Sequence, residues 1–179
     1  AWLVQSCNQN SHRYEVVCFI DDNDALHGSE LNGITVMSLE VAREQFPDAK
    51  VVCAVGSPRV REQIAQKAAN IGFSFETIIH PNVERSQWIS IAEGVVICAG
   101  NILTTNITLG RHVQINLDCT IGHDVILDDF TTLAPGVHVS GWVHVGKRVY
   151  IGTGAVIING TREHPLIIED DAVIGAGAC

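Results

Sequence analysis

Long apolar runs, paired cysteine motifs and positive charge are all scarce in this chain of 179 residues. No apolar stretch approaches the roughly 20 residues that cross a bilayer, and no secretory leader is visible, so neither a membrane span nor export is indicated. Eleven Lys and Arg stand against 20 Asp and Glu, a formal net charge of −9. Neither nucleic acid nor an anionic membrane is therefore expected as a partner. The six cysteines, Cys7, Cys18, Cys53, Cys98, Cys119 and Cys179, show no CxxC and no regular spacing. They read as reduced thiols in a cytoplasmic protein rather than as a disulfide framework or a zinc site. At 46% hydrophobic and 17% charged, the chain can bury a sizeable core, and disorder is not expected.

What is present in abundance is a six-residue beat. Every sixth position from Ile91 to Ile157 is aliphatic: Ile91, Ile97, Leu103, Leu109, Ile115, Ile121, Leu127, Leu133, Val139, Val145, Ile151 and Ile157. Two residues before each stands a second, mostly aliphatic position, and just after each comes a small or turn-forming one such as Gly110, Gly122 or Gly146. Neither a helical period nor simple alternation keeps this beat. Two inward side chains flanking an outward one make a short strand, and the small residue allows a corner. Stacked coils then pair each strand with the next and join the aliphatic beats into one core, a parallel β-helix.

The part of the chain before Pro81 has another texture. Strands are predicted over Tyr14–Ile20, Lys50–Val55 and Phe73–Ile79. Between them lie a short extended piece at Leu31–Val36, a helix over Leu39–Phe46 capped by Ser38, and a helix from Pro58 to about Ile71 that ends at Gly72. Alternating strands and helices predict a small α/β unit over residues 1–80, with the coil over 81–179. Open α/β sheets take ligands at the carboxyl ends of their strands. Here those ends carry Asp21-Asp22, which can accept hydrogen bonds from a ribose or base, and Gly56-Ser57, which can approach a phosphate. An ordinary solvated turn is the alternative for both.

A strand ending Phe19-Ile20-Asp21-Asp22, a later Ala54-Val55-Gly56-Ser57, an Ile79-His80-Pro81 junction and hexapeptide coils together resemble the sugar acyltransferases of the PglD/NeuD type. The resemblance covers nearly the whole chain. It implies a Rossmann-like N-terminal domain, here without its first strand and glycine-rich turn, followed by a left-handed parallel β-helix. It also implies acetyl-CoA as co-substrate, a sugar or nucleotide sugar as acceptor, and a homotrimer. Relatives continue past the position of Cys179 into a tail that closes the coil.

The most informative local match is Ile121-Gly122-His123-Asp124-Val125. In the family a His followed by an acidic residue at a coil corner is the proposed catalytic pair, which makes His123 the general base and Asp124 its orienting partner. An amine or hydroxyl attacking a thioester must shed a proton, and imidazole titrates near neutral pH. Gly141 lies one full coil, three beats, along from His123. It is expected to leave room for the pantetheine arm and to expose a backbone N–H, and the family assigns a glycine here to acetyl-CoA. Asn116, in the preceding corner, is expected to line the acceptor pocket. Some relatives carry a second histidine where this chain has Thr132, which the same correspondence places against the acceptor. His112, His138 and His144 are expected as surface histidines, His80 belongs to the junction and His164 to an irregular segment.

The beat breaks after Ile157 and resumes at Ile168 and Ile174, so residues 159–165 read as a bulged loop that covers the nucleotide end of the cofactor or simply lies on the surface. No serine or cysteine nucleophile stands out, which favours direct transfer. Two other classes share these features. One is a truncated, non-catalytic β-helix scaffold or binding module. The other is a zinc enzyme of the γ-carbonic anhydrase kind, which uses histidines five apart in the coil, whereas His138 and His144 are six apart. No metal site is expected.

Overall fold

The computed structural model describes residues 1–9 and 13–179. Its larger part is a left-handed parallel β-helix of three stacked sheets. The first face runs Glu84–Arg85, Ile102–Leu103, Thr120–Ile121, His138–Val139, Val156–Ile157. The second runs Ile89–Ile91, Ile107–Leu109, Ile126–Leu127, Val143–Val145, Leu166–Ile168. The third runs Ile78–Ile79, Val96–Ile97, Gln114–Ile115, Thr132–Leu133, Tyr150–Ile151, Val173–Ile174. Ile102 pairs with Thr120 and Thr120 with His138, so each step along a face is one coil of three beats. The first rung is Ile78–Ile79, paired with Val96–Ile97, so the expected third strand of the α/β unit is two pieces, Ser74–Phe75 and this rung. The inward beats are sealed: Ile97, Ile115, Ile121, Leu127, Leu133, Val145 and Ile151 are 0% exposed. Each such side chain contributes about 1.5–3 kcal/mol by leaving water.

Each corner turns on a residue in the left-handed region, repeated coil by coil. Asn106, Asp124 and Trp142 (φ 56, 57 and 59) form one column, and His112, Phe130 and Arg148 (φ 56, 63 and 57) form the next. The small residue just after each beat, expected as the turning point, lies outside that region at Gly110, Gly122, Gly146 and Gly152. It is small because the coils touch there: a Cβ on Gly122 would lie 2.7 Å from the Gly141 nitrogen, and one on Gly110 2.6 Å from the Asp129 nitrogen. After Ile157 the coil admits extra chain at one corner. Val143 pairs with Leu166 and Tyr150 with Val173, a longer step in sequence than any in the coils below, after which the stacking continues.

The N-terminal unit is Rossmann-like. Phe19–Ile20 pairs in parallel with Val36–Met37, and Lys50–Val51 with Ser74–Phe75. Glu30–Leu31 folds back antiparallel on Ile34–Thr35 around Asn32 and Gly33, both at positive φ. Helix α1 spans Trp2–Cys7, α2 Leu39–Gln45 and α3 Pro58–Asn70. Ser38 caps α2 by accepting the Val41 N–H at 3.2 Å. Gly72, at φ +90, follows α3. No helix among the described residues is long and apolar enough to cross a membrane.

This unit covers the third face and the corner before it. Gln114 and Thr132 point away from the coil core yet are only 7% and 1% exposed, and Phe130 joins Cys53 and Ala65 in a shared cluster. His112 is therefore not the surface histidine expected. It is buried, stacked on Phe130 at 5.0 Å and edge-on to Phe75 at 4.5 Å, and its Nδ1 has no partner among the described residues. Burial pushes its pKa below the usual imidazole value, so it is held neutral.

Candidate active site

The corner between the first and second faces carries three stacked turns: Thr105-Asn106, His123-Asp124 and Gly141-Trp142. The left-handed turn at Asp124 swings its carboxylate back against the preceding imidazole, and His123 Nδ1 lies 2.8 Å from Asp124 Oδ2. An acceptor-only carboxylate fixes the proton on Nδ1 and leaves Nε2 as the basic nitrogen. The other oxygen, Oδ1, accepts Asn106 Nδ2 at 3.1 Å from the coil below. The hydrogen bond from His123 holds the Asp124 carboxyl below the usual carboxylate range, with Asn106 adding to it and partial burial opposing. The imidazole is 54% exposed and the carboxylate 25%, so the ring is held on its Nδ1 edge and open on the other.

Gly141 lies directly against the imidazole. A Cβ there would be 2.7 Å from both Cε1 and Nε2 of His123. Its φ is not positive, so the glycine is required by proximity rather than by backbone conformation. The space expected for a pantetheine arm is thus taken, in part, by the His123 ring itself. Trp142 stands edge-on to His123 at 6.1 Å and donates its backbone N–H to the His123 carbonyl at 3.0 Å. Beside the dyad, on the second face, is a groove of ≈ 330 Å³ lined by Asn106, Thr108, Asp124, Trp142, His144 and Arg162, among others. His144 Nε2 pairs with Asp128 at 2.8 Å. Arg162 comes from the inserted corner, which is tied down where Gly160 N–H meets the Gly141 carbonyl at 3.1 Å.

The remaining predicted positions fall elsewhere. Asp21 and Asp22 are exposed at the end of Phe19–Ile20; Asp21 accepts the Asn23 N–H at 2.8 Å and Asp22 pairs with Lys67. Gly56 and Ser57 are exposed at the start of α3. Asn116 lies at the corner between the third and first faces, where its Nδ2 donates to the Leu133 carbonyl at 2.8 Å; one chain does not bring it to His123. Thr132 is a correction. Its hydroxyl donates to the Gly56 carbonyl at 2.9 Å and accepts Arg61 Nη2 at 2.8 Å inside the seam between the two units. It is closed to an acceptor because the N-terminal unit covers the face on which it stands. His138, on the first face, pairs with Thr120 Oγ1 at 2.8 Å. Asn106 was within reach of the sequence, since it precedes Asp124 by one coil; Trp142 and Arg162 carried no such signal.

An imidazole held by a carboxylate on one nitrogen, with its other ring nitrogen uncommitted, can take a proton from a nucleophile that reaches it. Known proteins show the family to which such a chain belongs. The PglD N-terminal domain family matches residues 1–68. GDP-perosamine N-acetyltransferase of Escherichia coli O157:H7 is 30% identical over 167 residues, covering 93% of this chain and 75% of that protein. The acetyltransferase domain of PglB from Neisseria gonorrhoeae FA1090, solved with acetyl coenzyme A, superposes with a TM-score of 0.83 at 29% identity, over 99% of this chain and 83% of that one. PerB from Caulobacter crescentus, solved with CoA and GDP-perosamine, gives a TM-score of 0.84 at 28% identity, over 98% and 79%. With the coil, the Rossmann-like unit and these relatives in agreement, the chain belongs to the hexapeptide-repeat sugar acyltransferases of the PglD/NeuD type.

Proposed function

We propose that this enzyme transfers the acetyl group of acetyl-CoA to the amine of a nucleotide-linked amino sugar by direct attack, with His123 as general base. The observation that carries the proposal is the corner dyad: Nδ1 of His123 is committed to Asp124 at 2.8 Å, and Nε2 is not. The amine nitrogen attacks the thioester carbonyl carbon while His123 Nε2 takes its proton. Asp124 stabilises the resulting imidazolium, and a backbone N–H beside Gly141 holds the oxyanion of the tetrahedral intermediate. Collapse breaks the C–S bond, and the imidazolium returns the proton to the departing CoA thiolate. The relatives' complexes with CoA, acetyl coenzyme A and GDP-perosamine support the choice of donor and acceptor.

Asp21-Asp22 and Gly56-Ser57 hold the nucleotide end of the acceptor in this reading. They belong to the unit that covers the third face, whereas the dyad stands at the corner between the first and second. A sugar held by one chain therefore meets the dyad of a neighbour, and the working form is a homotrimer in the cytoplasm. The test is a thiol-release screen of acetyl-CoA against nucleotide-linked amino sugars and sialic acid. A real acceptor gives turnover that His123→Ala lowers by about 10²–10⁴-fold. Acetyl-CoA binding without turnover on any acceptor would make the chain a binding module, and an unchanged rate in His123→Ala would remove the base.

A further inference from the structure

Arg61, on α3, is the largest side chain in the molecule that is wholly out of water, at 0% exposed. No carboxylate forms an ion pair with it among the described residues. Instead its guanidinium collects neutral acceptors from both units. Nε donates to the His112 carbonyl at 2.9 Å. Nη1 reaches the Val55 carbonyl at 2.7 Å, the Gly56 carbonyl at 3.2 Å and Gln114 Oε1 at 3.2 Å. Nη2 reaches the Phe130 carbonyl at 2.6 Å, the Thr131 carbonyl at 3.2 Å and Thr132 Oγ1 at 2.8 Å. Burial pulls the group down to about 10, which leaves it cationic at neutral pH. A buried cation is costly, and apolar packing of equal volume would join two units at least as stably. The guanidinium offers what apolar packing cannot, five N–H donors in a fixed plane.

That plane sets the orientation of one loop. Ala54 to Ser57 are exposed, yet the carbonyls of Val55 and Gly56 point inward at Arg61. The peptide bonds are trans, and across a trans peptide the carbonyl and the following N–H point in opposite directions. The N–H groups of Gly56 and Ser57 therefore face outward together. The two coil side chains that accept from Arg61 also hold the loop directly: Thr132 Oγ1 donates to the Gly56 carbonyl at 2.9 Å, and Gln114 Nε2 to the Cys53 carbonyl at 2.8 Å.

We propose that Arg61 is a positioning residue for the acceptor: by tying the Val55 and Gly56 carbonyls to the coil, it presents the Gly56 and Ser57 amides to the nucleotide of the sugar. Arg61 touches no substrate. The proposal rests on the reading of Gly56-Ser57 as part of the acceptor site.

The test is steady-state kinetics on the full chain with two acceptors, the amino sugar with its nucleotide and the same sugar without it. Arg61→Lys keeps the charge and loses the fork. It is expected to raise KM for the nucleotide-linked sugar about tenfold, as for loss of a charge-assisted hydrogen bond. KM for acetyl-CoA and kcat/KM for the nucleotide-free sugar stay within about twofold on the same argument. Gln114→Met, which removes the tie to the Cys53 carbonyl and one neutral acceptor of Arg61 but keeps the guanidinium itself, is expected to raise the same KM about threefold, and it serves if the lysine variant does not fold. A rise in both KM values together, or a lower melting temperature with neither KM changed, overturns the proposal and leaves Arg61 as a structural cation. If the wild type handles the nucleotide-free sugar as well as the nucleotide-linked one, the acceptor reading fails first, independently of Arg61.

Discussion

Replacing Gly141 by alanine separates the proposed catalytic corner from the scaffold that carries it. The backbone at Gly141 is not in the left-handed region, so alanine meets no conformational penalty of its own. Its Cβ would, however, lie 2.7 Å from Cε1 and Nε2 of His123 and 3.1 Å from Cδ2, where ordinary contact begins at 3.4 Å. The ring must give by on the order of 1 Å, and being 54% exposed it has open solvent to swing into. That swing takes Nδ1 out of its 2.8 Å contact with Asp124 and moves Nε2 away from the proton it is proposed to take. A misplacement of about 1 Å costs about 10²-fold in rate, so kcat/KM in the thiol-release assay should fall by about that factor. Stability should change by less than about 0.5 kcal/mol, because only a surface ring moves.

Gly122→Ala is the matched control. Its Cβ would meet the same 2.7 Å, but against the Gly141 nitrogen and the Ser140 carbonyl carbon, and backbone cannot swing away. It should cost about 1–3 kcal/mol by overpacking, read as a lowered unfolding midpoint. A Gly141→Ala enzyme with the wild-type rate would show that the imidazole does not work from where it stands. One destabilised as much as Gly122→Ala would show that the coil, not the ring, absorbs the clash.

Three further outcomes are expected. Asn106→Ala frees Asp124 Oδ1 and should lower kcat about 3–10-fold, the value of one positioning hydrogen bond, with acetyl-CoA affinity measured by calorimetry unchanged. Leu127→Ala, at 0% exposed, should cost about 2–5 kcal/mol in denaturant unfolding. Its neighbour Ile126→Ala, 39% exposed on the outer surface, should stay within about 0.5 kcal/mol. His112 has a folded-state pKa below its unfolded value of 6.5, so between the two values the unfolded chain binds more protons. Its stabilising effect is therefore complete above pH 6.5 and is lost as pH falls toward the depressed value. His112→Leu should flatten the thermal stability profile between about pH 7 and 5 relative to wild type, and an unaltered slope would show that another group sets it.

The coil was legible because its rule is local. An inward aliphatic every sixth position is enough to specify stacked rungs, and the pairings Ile102–Thr120–His138 follow the sequence ruler without exception until Ile157. The same ruler puts Gly141 beside His123 and Asn106 under Asp124. It says only whether a side chain points in or out, not which outward face another unit will cover. It therefore misplaces His112 and Thr132: both point away from the coil core, and both are buried by the N-terminal unit. Arg61 was silent for the same reason, since an arginine on an amphipathic helix reads as a solvated charge until a second surface closes over it. In the N-terminal unit the strands are shorter than their apolar runs. Tyr14–Ile20 supplies only one short paired piece, Phe19–Ile20, because run length reports burial and not pairing.

The inserted corner after Ile157 shows how this architecture can vary. The added chain leaves the rungs above in step, with Leu166 on Val143 and Val173 on Tyr150. A solenoid transmits disturbance only to its nearest neighbours, so that segment is a rim, fastened at Gly160 and felt by the Asp124 carboxylate through the charge of Arg162. It overhangs the groove beside the dyad and contributes Arg162. The rim can thus vary in length and charge while the His123-Asp124 corner two coils below keeps its place in the stack.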